Sequence, residues 1–543
     1  MSHSNIVGGS TAKRLINCPG SRKLVAEMPP QPSSVHADRG TMLHDVISRI
    51  LLDYFRALRI PLRGFAPDLP TTTDGVIVDC SQFIPYESGM RAAESASSYS
   101  SALAAECLGS ATLTKLDASR RVFAGTASKL YELSGTSWSD VSSGTYTLGA
   151  TSRWCFTQFG DTSLASTLDE TIQSTSSGSF AAISGAPQAT VVESVLASGG
   201  GFVLAFNTID GTYGTSPDRW WCCAVNDVTN WTPSVKDLCA TGRLLGSEGP
   251  ITTAKKFGSD RIVAYKASSL YLGAYVGASG GVWSWEELPG FGCIGLNAVA
   301  NLGTAHFVVG EDNIYIFDGS RPQPVAADCR KWFLDNSSGT YRYRTQVVFD
   351  RDNDLVRVYF PGSGSSTGRP DKCLVYHLKT GQWGRDDMEV ESAFIFIQPS
   401  ATFDSDSGTF DSATGTFDEV PAGNKIVAVF NTSHVMQTLN ADPVASSFTL
   451  HDVGDDNQVT SLVQTSLRYM QTPTSASVSA FYSMATGASV GTGVVQSAYD
   501  VPANGSNIFP LRQTARWHRL KFNFVGDCKV AGYSVPLKPA GRR

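Results

Sequence analysis

Short hydrophobic runs, each followed by a polar turn and a second apolar run, recur through the chain from about residue 111 to 440. The units read VFAGTASKLYELSGTSW ending at Trp138, FTQFGDTSLAST after Trp154, FVLAFNTIDGTYG before Trp220 and Trp221, and RIVAYKASSLYLGAYVG before Trp283. They continue with HFVVGEDNIYIFDG, then LVRVYFPG running through CLVYHLKTGQW to Trp383, and end with KIVAVFNTSHVMQTLN. Runs this short, bounded by Gly, Ser, Asn and Asp, predict β-strands. A period of roughly 40 to 50 residues built from such strands is that of a β-propeller blade. One unit cannot bury its apolar face alone, so a closed array of about six or seven blades is predicted.

The pattern changes on either side of the repeat. Residues 1–61 carry a helical stretch, MLHDVISRILLDYFRAL, in which Leu43, Ile47, Ile50, Leu51 and Phe55 fall near helical spacing. A short helical N-terminal arm is expected there, followed by an extended, Pro-rich lead-in over 62–110. Residues 441–543 alternate as strands in SLRYMQTPTSASVSAFYS and ARWHRLKFNFVGDCKVAGYSVPLKP, and read as a C-terminal β-sandwich-like domain. The fold class expected is all-β.

Within the last part of the repeat, TFDSDSGTFDSATGTFDEV interrupts the strands at 401–420. Phe403, Phe410 and Phe417 recur every seven residues beside Asp404, Asp411 and Asp418, but Gly, Ser and Thr fill the gaps and rule out a coiled coil. A calcium loop fails too, because Glu419 comes too late to be the distal ligand. A protruding hairpin that contacts another subunit is the expectation.

The tryptophans follow short loops at similar places in the units, as in TSWSDV, NDVTNWTP, GVWSWEEL and TGQWGRDD. A ring at such a place buries about 150–250 Å². Trp138, Trp231, Trp283, Trp285 and Trp383 are therefore predicted to wedge between blades, the alternative being an exposed aromatic row for sugar stacking.

Composition narrows the chemistry. Charged residues are 17% of the chain against about 25% in an average domain, and 51 glycines suit a body with many tight turns. A net charge of −6 argues against a protein that grips nucleic acid, while leaving a DNA-repelling channel wall open. Eleven cysteines without a CxxC pair fit neither a zinc site nor a disulfide framework, and point to reduced, buried thiols folded in a cytosol. No run of about 18 apolar residues is present, so no membrane insertion is expected. The eight histidines are dispersed, and HExxH, GxSxG and GxxxxGK[ST] are absent. His306 and His377 lie in apolar runs, where a hydrogen-bonded core histidine is expected. Glu286, Glu287, Asp350, Asp352 and Asp354 are placed at turns. No catalytic set, cofactor site or metal site is expected, and the chain is read as a non-enzyme.

The segments FGDTSLAST, PDRWWCCAVNDVTNWTP, GPITTAKKFGSDRIVAYKASSLYLGAYVG, HFVVGEDNIYIFDGSRPQPV and LVYHLKTGQW resemble the tail nozzle (hub) proteins of short-tailed bacteriophages. These are similar in role to tail tubular protein B and to packaged-DNA stabilization proteins. The resemblance runs from about residue 62 to the C-terminus and rests on pattern and order. It implies a structural virion protein, assembled in the host bacterial cytoplasm and located in the virion tail. It also implies a homo-hexameric ring docked on the tail adaptor (head-to-tail connector) and bearing tail fibres or spikes. Such a ring touches genomic DNA transiently in its lumen, retains the packaged genome and opens for ejection.

Residues 10–52, STAKRLINCPGSRKLVAEMPPQPSSVHADRGTMLHDVISRILL, are separately similar to the opening of a Cas4-like PD-(D/E)xK phage nuclease family, in which His44 corresponds to an active-site histidine. The Asp and (D/E)xK strand of that family do not follow before the repeats. A different class of reading is a carbohydrate-active propeller enzyme or glycan-binding tail protein. The SxDxGxTW box of sialidases is absent, and the sequence offers no clustered set of arginines that can be placed.

Overall fold

The computed structural model describes residues 60–398, 425–485, 500–502 and 507–541. The helical arm at 1–61, with His44, and the Phe/Asp hairpin of Phe403, Asp404, Phe410, Asp411, Phe417 and Asp418 fall outside the described residues, apart from residues 60 and 61. Among the described residues the chain is all-β, a β-propeller joined to a β-sandwich, with one short α-helix, α1 (Arg330–Asn336).

Seven four-stranded antiparallel sheets follow one another as blades 1 to 7, starting at residues 110, 155, 188, 253, 299, 346 and 393. The innermost strand of each blade neighbours that of the next, and blade 7 returns to blade 1, which closes the ring. The hydrophobic runs legible in the sequence are mostly the second strands, such as Arg120–Gly125, Arg261–Tyr265, His306–Val309 and Leu355–Phe360. These strands are almost wholly buried because neighbouring blades cover both faces. That is why they read as continuous apolar runs rather than alternating ones.

Ring closure uses the N-terminal side of the chain. We label the first five strands β1 (Ile60–Pro61), β2 (Ile77–Ser81), β3 (Phe83–Tyr86), β4 (Gly89–Ala92) and β5 (Ser95–Ala102). β5 is the outer strand of blade 7, pairing Ser98 with Gln437 and Ala96 with Leu439. The other three strands of that blade come from the far end of the repeat. Blade 7 is thereby stitched from both ends, so the ring cannot open without breaking a strand ladder.

β1–β4 belong to the sandwich. One of its sheets contains β3, β4 and the strands Lys529–Ser534, Val459–Gln471 and Ile508–Ala515; the other contains β2, Ala445–Leu450, Trp517–Val525 and Ser475–Ser483. Their inner faces meet in an aromatic core, with Phe83 5.0 Å from Phe448 and 5.9 Å from Phe524, and Phe509 5.4 Å from Phe522. The strand Ile508–Ala515 alternates exposed and buried along its length, as a sheet with one solvated face does. The stretch expected as an extended lead-in supplies β2–β4 to the sandwich and β5 to blade 7. Its apolar residues Ile77, Phe83 and Ile84 are fully buried, and only strand pairing satisfies their backbone there.

The two parts share one sheet. Arg385 on the outer strand of blade 6 (Trp383–Arg385) pairs with Phe83 of β3, so an eleven-stranded sheet runs from the propeller into the sandwich. Beside this junction Asp68 accepts from the backbone N–H groups of Lys331 and Trp332 at the start of α1, while Arg385 lies 4.9 Å over the Trp332 ring. No helical period marks α1 in the sequence, because its seven residues are too few for one to register.

Candidate functional site

Four of the five tryptophans singled out lie against the neighbouring blade. Trp138 of blade 1 packs 5.5 Å from Phe430 of blade 7 and donates to Ser100 Oγ of β5 at 2.9 Å. Trp283 and Trp285 of blade 4 meet Phe202 and Phe206 of blade 3 edge-on, each at 5.8 Å. Trp383 of blade 6 reaches Phe307 of blade 5, and its Nε1–H donates to the Val325 carbonyl at 3.1 Å. Trp231 is different: it is buried, and its indole N–H donates to Val228 three residues back, inside its own blade. Trp231, Trp283 and Trp383 are at most 4% exposed, which excludes them from a surface row for sugar stacking.

His306 also joins two blades. Its Nδ1 accepts from the Tyr265 hydroxyl at 2.8 Å, and Nε2 lies 2.9 Å from the Lys256 carbonyl. A carbonyl only accepts, so the proton sits on Nε2 and the ring is neutral. Burial pushes its pKa from 6.5 down to about 4. The same cause acts on His518, which also falls to about 4. A lowered histidine value means that the unfolded chain takes up the proton first. Stability from the neutral rings is complete above 6.5 and is lost as pH falls towards about 4. Thermal unfolding midpoints are expected to drop across that window, and the drop to shrink in His306→Gln. An unchanged slope in that variant would remove His306 from the account.

His377 is buried in blade 6, where its Nδ1 accepts from the Thr380 N–H at 3.1 Å. Asp350 holds its turn through Asn353, as expected of a turn aspartate. Glu286 and Glu287 do not lie at a turn. They sit on the outer strand of blade 4 (Val282–Pro289), where Glu287 accepts from the Tyr271 hydroxyl at 2.9 Å. The ten cysteines among the described residues are free and buried, and burial raises the thiols of Cys107, Cys223 and Cys293 to about 12. Such thiols do not ionise near neutrality. Among the described residues no three His, Cys, Asp or Glu side chains are grouped as a metal would require.

The concave feature that the ring itself creates is a cavity of about 370 Å³ on the propeller axis, at the face where the innermost strands begin. All seven blades or the connections into them contribute, among them Gly109, Arg153, Thr190, Thr252, Asn297, Gln346 and Ser392. Three arginines line it. Arg153 lies just before blade 2, Arg344 just before blade 6, and Arg369 in the loop between the second and third strands of blade 6. Arg153 Nη1 and Arg344 Nη2 both donate to the Ala150 carbonyl, at 3.4 and 3.0 Å. The shared acceptor brings the two guanidinium groups close. Burial, and then the neighbouring Arg344 charge, hold the Arg153 pKa below its usual value.

Arg344 also donates to Thr367 and lies 5.4 Å and 5.7 Å from the Tyr341 and Tyr343 rings. Gly368 lets it approach so near: its φ is +73°, and a Cβ there would stand 2.8 Å from Arg344 Nη1. Arg369 is balanced by two carboxylates, Glu106 at 3.5 Å and Glu391 at 3.4 Å. The buried Glu391 also accepts from the Cys107 N–H at 3.0 Å and lies 2.8 Å from His434 Nδ1. Among the described residues no carboxylate stands within ion-pair distance of Arg153 or Arg344. The sequence offered no arginine set that could be placed; these residues are far apart in the chain, and ring closure brings them to one cavity.

No family model matches the chain, and no curated protein matches its sequence. Among solved structures, the chain is similar to BamB from Moraxella catarrhalis at 15% identity, covering 67% of this chain and 96% of that one, with a TM-score of 0.34. It is also similar to YCF48 bound to D1 peptide, at 12% identity over 66% and 98% of the two chains and a TM-score of 0.33. A third is BBS1N in complex with ARL6DN, at 11% identity over 66% and 97% and a TM-score of 0.37. The strand ladders above, and not these low scores, define the seven blades and the axial cavity.

Proposed function

We propose that this chain is the tail nozzle protein of a short-tailed bacteriophage, a structural subunit whose copies form a ring around the DNA exit channel, retain the packaged genome and open for ejection. The observation that carries the reading is mechanical: the propeller and sandwich share one eleven-stranded sheet, and the segment 60–102 is woven into both. A subunit that must hold back packaged DNA requires a body whose parts do not swing apart. The resemblance of residues 62 onward to nozzle proteins supplies the role, and the net charge of −6 suits a wall that does not grip a polyanion.

The axial cavity is not the conduit in this reading. Arg344 reaches from the connection before blade 6 to Ala150 in the connection before blade 2, blades that are not neighbours in the ring. A volume of about 370 Å³ crossed by that bond does not pass a duplex whose major groove alone is about 12 Å wide. The lumen lies between protomers instead, closed by heterologous contacts around a rotation axis in a homo-hexamer. Ejection is then a shift of ring contacts, set off when fibres, spikes or the adaptor change theirs.

Electron microscopy of the purified protein, alone and mixed with its adaptor ring, tests the proposal. Closed rings with a central channel, and the same chain found in purified virions, are expected. A stably monomeric protein absent from virions overturns it.

A further inference from the structure

The ring leaves two guanidinium groups without an ion pair in a cavity on its axis that opens to solvent. Arg153 and Arg344 share the Ala150 carbonyl as acceptor, and no carboxylate among the described residues pairs with either. Arg369 beside them is already matched by Glu106 and Glu391. Two guanidinium groups held together without an anion is an unfavourable arrangement, and planar forks of N–H donors fit the oxygens of a carboxylate or phosphate. Arg344 Nε is buried without a partner, so this guanidinium retains donor capacity.

The rest of the cavity suits a small polar body. Thr190 and Asn297 line it with side chains that make no hydrogen bond within the protein, among the described residues. The volume of about 370 Å³ is at the small end of ligand pockets, which run about 300–1,000 Å³. That volume matches a molecule of monosaccharide size.

We propose that the axial cavity is a binding site for a small polyhydroxylated oxyanion, with Arg153 and Arg344 taking its carboxylate or phosphate and Thr190 and Asn297 facing its hydroxyl groups. The site is independent of the ring proposed above. It lies on the axis of one propeller and requires neither a second copy nor DNA.

Isothermal titration calorimetry of the full chain with glucuronate, glucose 6-phosphate, inorganic phosphate and glucose tests it. Glucuronate, glucose 6-phosphate or both are expected to bind, and which of them binds separates a carboxylate from a phosphate ligand. Glucose is expected to bind at least about tenfold more weakly, since it leaves the guanidinium groups unmatched. Affinity for the bound anion is expected to fall by about tenfold in Arg153→Gln and to fall as salt is raised. Because Arg344 also ties two loops, Arg153→Gln is the primary variant, and an unchanged thermal midpoint establishes that it folds. Salt dependence in the unaltered protein gives a second readout. Three results overturn the site: no binding in any arm, glucose binding as tightly as the anions, or inorganic phosphate binding as tightly as the sugar anions.

Discussion

Asp386→Ala is expected to lower the unfolding midpoint in guanidinium chloride more than other single substitutions near the propeller–sandwich junction. Arg357, on the second strand of blade 6, is 1% exposed, and its guanidinium is hydrogen-bonded to the Asp386 carboxylate, itself 2% exposed. The next acid, Glu94, stands 3.6 Å away and is partly exposed. Removing Asp386 leaves a buried cation with only that weak partner, a change that costs about 3–5 kcal/mol in comparable buried pairs. The cause is desolvation more than the loss of a bond. The double variant Arg357→Met with Asp386→Leu is therefore expected to recover most of the loss, because it removes the charge as well as its partner. A double variant as unstable as Asp386→Ala would show that shape, not charge, holds the junction.

A larger effect is expected from a chain that begins at residue 103. It lacks β1–β5 and so breaks both parts at once. In the propeller, the strand Val435–Ala441 loses its outer partner and blade 7 ends on a bare edge. In the sandwich, Phe83 no longer covers Phe448 and Phe524, and the sheet that continued into blade 6 is cut at Arg385. Uncovered aromatic cores and an open edge strand favour aggregation, so loss of cooperative unfolding and strong binding of a hydrophobic dye are expected. A soluble chain from residue 103 that unfolds cooperatively would mean that closure comes from packing between blades alone. Near-ultraviolet circular dichroism, which reports the fixed tryptophans between blades, distinguishes the two outcomes.

The apolar units in the sequence correspond to blades because a strand buried on both faces is mostly apolar; where it is not, as in Thr162–Thr167 with Ser163 and Ser166 or at Arg357, the run reads more weakly. Neighbouring blades bury the second strand in the same way around the ring. The tryptophans were legible for a related reason: a large ring at a fixed place in a repeat has the next blade to pack against. Trp231 departs from this because the long connection between Trp221 and Ala240 folds back on its own blade and satisfies the indole at Val228. β2–β5 read only as an extended lead-in because their alternation is short and interrupted by Pro and Gly. Apart from the β3–β4 hairpin, nothing local reveals that their partners lie more than 300 residues away.

Local pattern by itself determined the all-β class, the existence of a blade-like repeat and the burial of His306, His377 and the thiols, because each follows from the polarity of a few adjacent residues; the count of seven came from the strand ladders. Tertiary structure alone decided which strands close the ring, which sheet joins the two parts, and which charged groups share the axis. Arg153, Arg344 and Arg369 belong to different connections and make no motif. They meet because seven innermost strands begin around one point, and a ring brings together positions that sequence distance keeps apart.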